Sequence, residues 1–348
     1  MPRTHILFLL AASGLAACSD RPTSLVRPRP DAAVAAGIQL QGYTAIELPL
    51  LPAGINDAGV IAGTYGDAST QYAAVFSNGA LTLLAQPAYV KGNYYASAIN
   101  SNGAIVGGMQ DGSGLFWRSA DSIPLQIKSP HGLAVKPVAV NDGNVVVGMY
   151  AVPDGADRVF RWTPPTSRVS TFVDITPDGF GSGMARDVNN SNLVVGWGNA
   201  SGALHALRWP AVGGATATPL AGIMAMTIRD NGDAVGVGAA FQNVTVWPLA
   251  GGAYVLPVTG SNYADDVSSL GRVVGRTWGQ LPWRPWTSVG GATTTLPLPN
   301  AQVISELGDL RVNRCGSIVG THIRGSERTG LLWTKLMCDE GTVTKNPG

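Results

Sequence analysis

The chain has 348 residues, with 45 glycines, 13% charged residues and a formal net charge of +1. That balance excludes an electrostatic footprint for nucleic acid, and moderate hydrophobicity with so little charge excludes a disordered chain. Abundant glycine, short apolar runs and many β-branched residues point to an all-β, turn-rich fold.

Residues 1–17 read as an export leader. Arg3 and His5 precede an apolar run from Ile6 to Ala12, and Leu15-Ala16-Ala17-Cys18 follows. The run is too short to span a bilayer as a helix; a charged start, an apolar middle and small residues before a cut make a secretory signal. Leu-Ala-Ala-Cys resembles the bacterial lipobox, which implies that Cys18 becomes the lipidated first residue of the mature protein. The alternative is an ordinary leader cut nearby, with Cys18 incidental. Ser19 stands where lipoproteins of the inner membrane often carry Asp, so the same resemblance implies an outer-membrane anchor. Residues 18–39 read as an extended tether, because Pro22, Pro28 and Pro30 alternate with Arg21, Arg27 and Arg29 and apolar residues are few.

From residue 40 one phrase recurs seven times: an apolar residue, usually Asn, a short turn, a small apolar run and a closing Gly. The copies end at Gly63, Gly107, Gly148, Gly196, Gly236, Gly275 and Gly320. Asn56, Asn100, Asn141, Asn189 and Asn313 stand seven residues before the Gly; Arg229 and Ser268 replace the Asn in two copies. The turn glycine of the third copy is shifted to Gly143. Ten to fourteen residues after each closing Gly comes an aromatic: Phe76, Trp117, Trp162, Trp209, Trp247, Trp286 and Trp333. A second turn and a short apolar strand complete the unit.

A period of about 43 residues with four short strands is the signature of a propeller blade. Residues 40–338 are therefore expected to form a seven-bladed β-propeller of four-stranded antiparallel blades, with residues 339–348 as a disordered tail. Asn and Gly suit turns that need positive φ, and the indole supplies the area on which neighbouring blades pack. Tyr43 to Leu50 looks like a fourth strand with no unit before it, while the last unit lacks one. The N-terminal strand is expected to close the last blade.

With Cys18 lipidated, Cys315 and Cys338 remain, an even number in an oxidising compartment. Cys315 falls in the first tight turn of the last blade and Cys338 just past its third strand. A disulfide between them would help to close the ring; two free buried thiols are the alternative.

The unit resembles the HAF repeat of bacterial extracellular proteins, which couples an Asn-x-x-Gly turn and a Val-Val-Gly run to a later His-Ala-Phe-x-Trp segment. His205-Ala206-Leu207-Arg208-Trp209 and Arg158-Val159-Phe160-Arg161-Trp162 come closest. Most copies lack the His, so these are divergent repeats. The resemblance implies an exported, repetitive β-protein and brings no catalytic residues.

No catalytic or metal motif stands out, and nothing calls for a cofactor. His131, His205 and His322 are not spaced as a metal pair or a triad. Asp230-Asn231-Gly232-Asp233 is too short for a calcium loop and falls on a turn. Two irregularities carry more. Charge falls on expected innermost strands at Arg186, Asp187, Asp265, Asp266, Asp309 and Arg311, where Asp187, Asp266 and Arg311 are candidate ligand contacts in the channel. Asp265 and Asp266, as strand neighbours, are expected to point to opposite faces. The long loops carry Tyr65, Tyr94, Tyr95, Tyr150, Trp197, Phe241, Trp278 and Trp283. Aromatics on variable loops over a rigid scaffold suit recognition, so Tyr65, Tyr150, Trp197, Trp278 and Trp283 are candidate ligand contacts.

These features favour a lipid-anchored envelope module that binds a protein or glycan through its long-loop face. An envelope hydrolase or lyase working on a polysaccharide or peptide at the channel mouth is the competing reading, and an assembly factor for an outer-membrane complex is a third.

Overall fold

The computed structural model describes residues 39–335 apart from 41, 88–91, 166–169, 215, 240–242, 259–261, 278–282 and 299–305. Cys18, Phe241, Trp278, Cys338, the leader, most of the tether and the tail lie outside the described residues. The described chain is all strand and turn, with no helix long and apolar enough to cross a membrane.

Seven four-stranded antiparallel sheets form a ring, a seven-bladed β-propeller. Blade 1 runs outward through Leu51–Ile55, Ile61–Gly66, Gln71–Ser77 and Ala80–Leu83. Blades 2–6 repeat that order, with innermost strands Tyr94–Ile99, Val135–Val140, Ser182–Val188, Met224–Ile228 and Asn262–Val267. In blade 7 the innermost strand is split into Glu306–Leu307 and Arg311–Val312. Ile318–Arg324 and Glu327–Lys335 follow, and Tyr43–Leu48 pairs on the outside of Glu327–Lys335, with Gln39–Leu40 beyond it. The N-terminal strand thus closes the last blade, which removes the free edge a linear array would leave. The Tyr43 hydroxyl donates to the Gly316 carbonyl at 3.1 Å, fixing the start of that strand at the tight-turn end.

The repeated Asn is explained by its neighbour in the ring rather than by its own φ. Left-handed φ falls three residues later, at Gly59, Gly103, Asn144, Asn192, Gly232, Gly271 and Gly316. In blade 3 the turn uses Asn144, with φ of 62°, in place of the expected Gly143; Asn tolerates this region because its short polar side chain bonds locally. The Asn side chain itself does two things. Its Oδ1 accepts the N–H four residues on, as Asn100 does from Ala104 at 2.8 Å. Its Nδ2 donates to the carbonyl of the equivalent residue in the next blade: Asn56 to Asn100, Asn100 to Asn141, Asn141 to Asn189, Asn189 to Arg229, and Asn313 to Asn56. This satisfies buried polar groups and ties blades together. Arg229 stands in with a guanidinium bond to the Ser269 carbonyl, while Ser268 only caps its own turn, accepting from Arg272 N–H.

The closing glycine answers a different need. In blades 1–6 the innermost strand carries a bulge, for example between Ala185 and Asp187, and the closing Gly pairs with the residue just before it. A Cβ on Gly196 would collide with the Met184 carbonyl oxygen, and Gly63, Gly107, Gly148, Gly236 and Gly275 meet the equivalent carbonyl.

The third-strand tryptophans are buried in the clusters that join adjacent blades. The indole N–H of Trp117, Trp209, Trp247 and Trp333 donates to a carbonyl of the preceding inter-blade connection, at Ala85, Ile175, Ala221 and Pro297. Trp286 is buried with no acceptor for its N–H. Cys315 lies in the blade 7 turn and is disulfide-bonded.

Candidate functional site

The bulge decides what faces the channel. An extra residue in the strand leaves two consecutive residues free to turn toward the axis, and in every bulged blade but the second both line the cavity there. In blades 1–3 these are small or aliphatic, such as Ala53-Gly54 and Val138-Ala139. In blades 4, 5 and 6 they are Arg186-Asp187, Met226-Thr227 and Asp265-Asp266, and blade 7 adds Arg311. The result is a cavity of about 130 Å³ with an aliphatic wall and a polar wall. Asp265 and Asp266 share it, which corrects the expectation of opposite faces: simple strand alternation fails where Asp265 is the bulged residue.

Asp309 anchors the polar wall. Its carboxylate lies 2.9 Å from Arg186, 2.7 Å from Arg276 and 3.7 Å from Arg311. Burial opposes its ionisation, but the three guanidinium groups hold the carboxyl well below the usual range. Arg276 also lies 3.3 Å from Asp265 and donates to the Leu307 carbonyl at 2.7 Å. Asp265 is 1% exposed, with Arg276 as its ion-pair partner and the Leu310 N–H beside its carboxylate. Burial pushes its carboxyl up to about 7 against the pull of Arg276.

Asp187 and Asp266 staple blades. Asp187 accepts from Ile228 N–H of blade 5 at 2.9 Å, and Asp266 from Val312 N–H of blade 7 at 2.9 Å. The second staple sits where the Asn ladder is broken by Ser268. Thr227 Oγ1 lies between them, 2.9 Å from Asp187 and 3.0 Å from Asp266. A hydroxyl has one hydrogen, so both contacts are hydrogen bonds only when one carboxyl is protonated and donates back. The environment favours that proton: burial raises Asp187, and raises Asp266 to about 6 against the pull of Arg311.

The candidate aromatics divide. Trp197 and Tyr263 are half-buried and pack against Met224, Met226 and Val237, next to the cavity wall. Trp283 is half-buried, its ring 5.9 Å from the Arg276 guanidinium carbon. Trp197 therefore reaches the cavity wall through Met226, and Trp283 reaches Asp309 of the charged cluster through Arg276. Tyr65 is half-buried in the cluster between blades 7 and 1. Tyr150 is 3% exposed, where the sequence suggested a surface aromatic. Its ring packs on Phe160 and Phe172, and its hydroxyl donates to Asp174 at 3.0 Å. Burial and that bond push the phenol up to about 12. With His131 stacked on Tyr150 and Arg158 paired to Asp174 at 3.2 Å, it lines a separate open groove on blade 3.

Thr227, Tyr263 and Arg276 were not singled out from sequence. Two of them had a signal in the aligned copies. Thr227 shares its column with Asp187 and Asp266, and Arg276 is a lone cation where other copies carry Thr64, Gly108, Met149, Trp197, Val237 and Thr321.

Comparison with solved structures gives the same architecture. The fold is similar to YCF48 from Cyanidioschyzon merolae, at 12% identity and a TM-score of 0.53, over 84% of this chain and 98% of that one. It is equally similar to a chain of the mitotic checkpoint complex, at 12% identity and a TM-score of 0.53, over 94% of this chain and all of that one. At such identity the likeness is one of fold. No protein-family model matches the sequence, and the search of curated proteins finds no relative.

Proposed function

We propose that this propeller is a binding module of the bacterial cell envelope, a divergent HAF-repeat protein anchored in the outer membrane through lipidated Cys18. Its long-loop face captures a protein or glycan ligand, at the opposite end of the innermost strands from the tight turns. The observation that supports this reading most is the broken symmetry of the ring. Among the described residues that line the channel cavity, charge falls only on blades 4, 6 and 7; Trp197 and Tyr263 pack against its Met226, and Trp283 lies by Arg276. Blade packing requires no such asymmetry, whereas recognition of one ligand does. The test is crosslinking in native envelopes followed by partner identification, repeated with Trp197→Ala and Trp283→Ala combined. Loss of the crosslinked partner by a folded double variant is expected; an unchanged partner set refutes the assignment of the face.

A second reading, an envelope hydrolase or lyase, draws on Asp265 and Asp266. Two cavity-lining carboxyls raised toward neutrality are what acid–base chemistry uses. Turnover of an envelope polysaccharide or peptide that disappears in Asp265→Asn would favour it over pure binding.

A further inference from the structure

We propose that the junction of blades 5 and 6 holds, at the tight-turn pole, a pocket for a tryptophan side chain of a partner peptide. The site lies at the other pole from the long-loop face and does not rest on the reading of that face.

Strand register sets blade 6 apart. Phe76, Trp117, Trp162, Trp209, Trp247 and Trp333 each stand opposite the second-strand residue two before the closing Gly, as Trp209 does opposite Val194. In blade 6 that place, opposite Val273, belongs to Ser288. Trp286 stands opposite the closing Gly275 itself, two residues nearer the long loops.

The facing column of blade 5 is short as well. Val246, opposite Val235, stands where blades 3 and 4 have Arg161, opposite Val147, and Arg208, opposite Val195. Those guanidinium groups cross to the next blade, Arg161 to the Pro210 carbonyl and Arg208 to the Trp247 carbonyl, each at 2.6 Å. Small side chains at both places leave a pocket of about 440 Å³ between Val246, Leu256, Val273 and Ser288. That is the size of a ligand site. The turn glycines Gly271, Gly290 and Gly291 line its end.

The other junctions identify the occupant, because they fill this place with an aromatic ring of their own. In three of them the indole N–H donates to the residue after a leucine that ends the preceding blade. Trp117 donates to Ala85 after Leu84, Trp247 to Ala221 after Leu220, and Trp333 to Pro297 after Leu296. Pro257 follows Leu256 in the same way and lines the pocket, while the Trp286 N–H reaches no acceptor. The Ser288 hydroxyl is also buried without a partner, which packing alone does not call for. The junction thus keeps the apolar walls and the acceptor position of an indole site.

The rim selects a peptide over free indole. Tyr254 and Val255 line the pocket and are each 53% exposed, more apolar surface than one ring covers. Arg229 and Asp233, paired at 3.5 Å and partly exposed, line another side and offer polar partners to a peptide backbone.

The experiment is a ligand-observed NMR titration of the full chain with three probes: acetyl-Gly-Trp-Gly-amide, its 1-methyltryptophan analogue and free indole. Saturable binding of the peptide is expected, with the methylated analogue weaker by about fivefold for the lost hydrogen bond and free indole weaker still. Ser288→Trp, which supplies the ring from within, should abolish binding. No saturable binding of the peptide, equal binding of the methylated analogue or of free indole, or a folded Ser288→Trp that binds like the parent overturns the proposal. Should that variant not fold, Val255→Asp decides: it puts a charge on the exposed rim, and parent-like binding by it refutes the site.

Discussion

Asn313 donates its side-chain amide to the backbone carbonyl of Asn56 at 3.1 Å, although 257 residues separate them. The neighbouring Arg314 N–H donates to Asp57 at 2.8 Å across the same junction. Ring closure is thus made twice, by the pairing of Tyr43–Leu48 with Glu327–Lys335 and by the polar ladder at the tight turns.

Asn313→Ala removes both the bond to Asn56 and the turn cap on Ser317 N–H. It should cost about 2 kcal/mol, two buried hydrogen bonds at about 1 kcal/mol each. Ser268→Asn, which restores the amide missing from the ladder, should stabilise by about 1 kcal/mol on the same scale. Urea unfolding of the two variants beside the parent checks the pair; equal stabilities would mean the ladder contributes nothing.

Gly196→Ala and Gly320→Ala should differ. A methyl on Gly196 meets the fixed Met184 carbonyl, whereas one on Gly320 first meets the end of the Leu310 side chain, which can rotate. The first should cost about 3 kcal/mol or more and the second about 1 kcal/mol, the span of overpacking costs in tight interiors. Chemical denaturation midpoints would reverse this order only if the bulges were free to move.

Trp209→Phe and Trp286→Phe lose similar buried area, but only Trp209 also loses a hydrogen bond, to the Ile175 carbonyl at 2.6 Å. Trp209→Phe should be the more destabilising by about 1 kcal/mol. Thermal unfolding of both variants tests the difference, and indistinguishable melting would show that the indole bond adds no stability.

Stability should fall between pH 5 and pH 8. Asp265 and Asp266 sit at about 7 and about 6 against an ordinary 3.8, so the folded protein binds their protons more tightly than the unfolded chain. Their contribution is full below the unfolded value and is lost as the pH rises through 6 and 7. Asp309, held below its ordinary value, acts in the opposite sense: its contribution is present above 3.8 and lost as the pH falls through its lowered value. The melting temperature should therefore decline from pH 5 to pH 8, and Asp266→Asn should flatten the decline. A melting temperature that climbs over that interval contradicts the assignment.

The ring itself was legible because its signals are local and repeated. A closing Gly seven residues after an Asn, and an indole ten to fourteen residues further on, mark a blade without any knowledge of its neighbours. The unmatched strand at Tyr43 marked the closure in the same way. The work done by those residues was less legible. Asn100 reads as a turn former in isolation, and its bond to the Asn141 carbonyl exists only once two blades stand side by side. The bulge at Asp265 is a property of pairing register, so alternation placed it on the wrong face. The charged sector was half visible: Arg186, Asp187, Asp265, Asp266, Asp309 and Arg311 stood out as charge on innermost strands, but the bond from Arg186 to Asp309 spans 123 residues, and Arg276, on a second strand, was not among them.

The bond from the Tyr43 hydroxyl to the Gly316 carbonyl has a bearing on orientation. It pins the start of Tyr43–Leu48 to the tight-turn pole, from which the strand runs toward the long loops and feeds directly into Leu51–Ile55. One hydroxyl thus sets the direction in which the first long strand crosses the last blade, so that it reaches the pole where blade 1 begins.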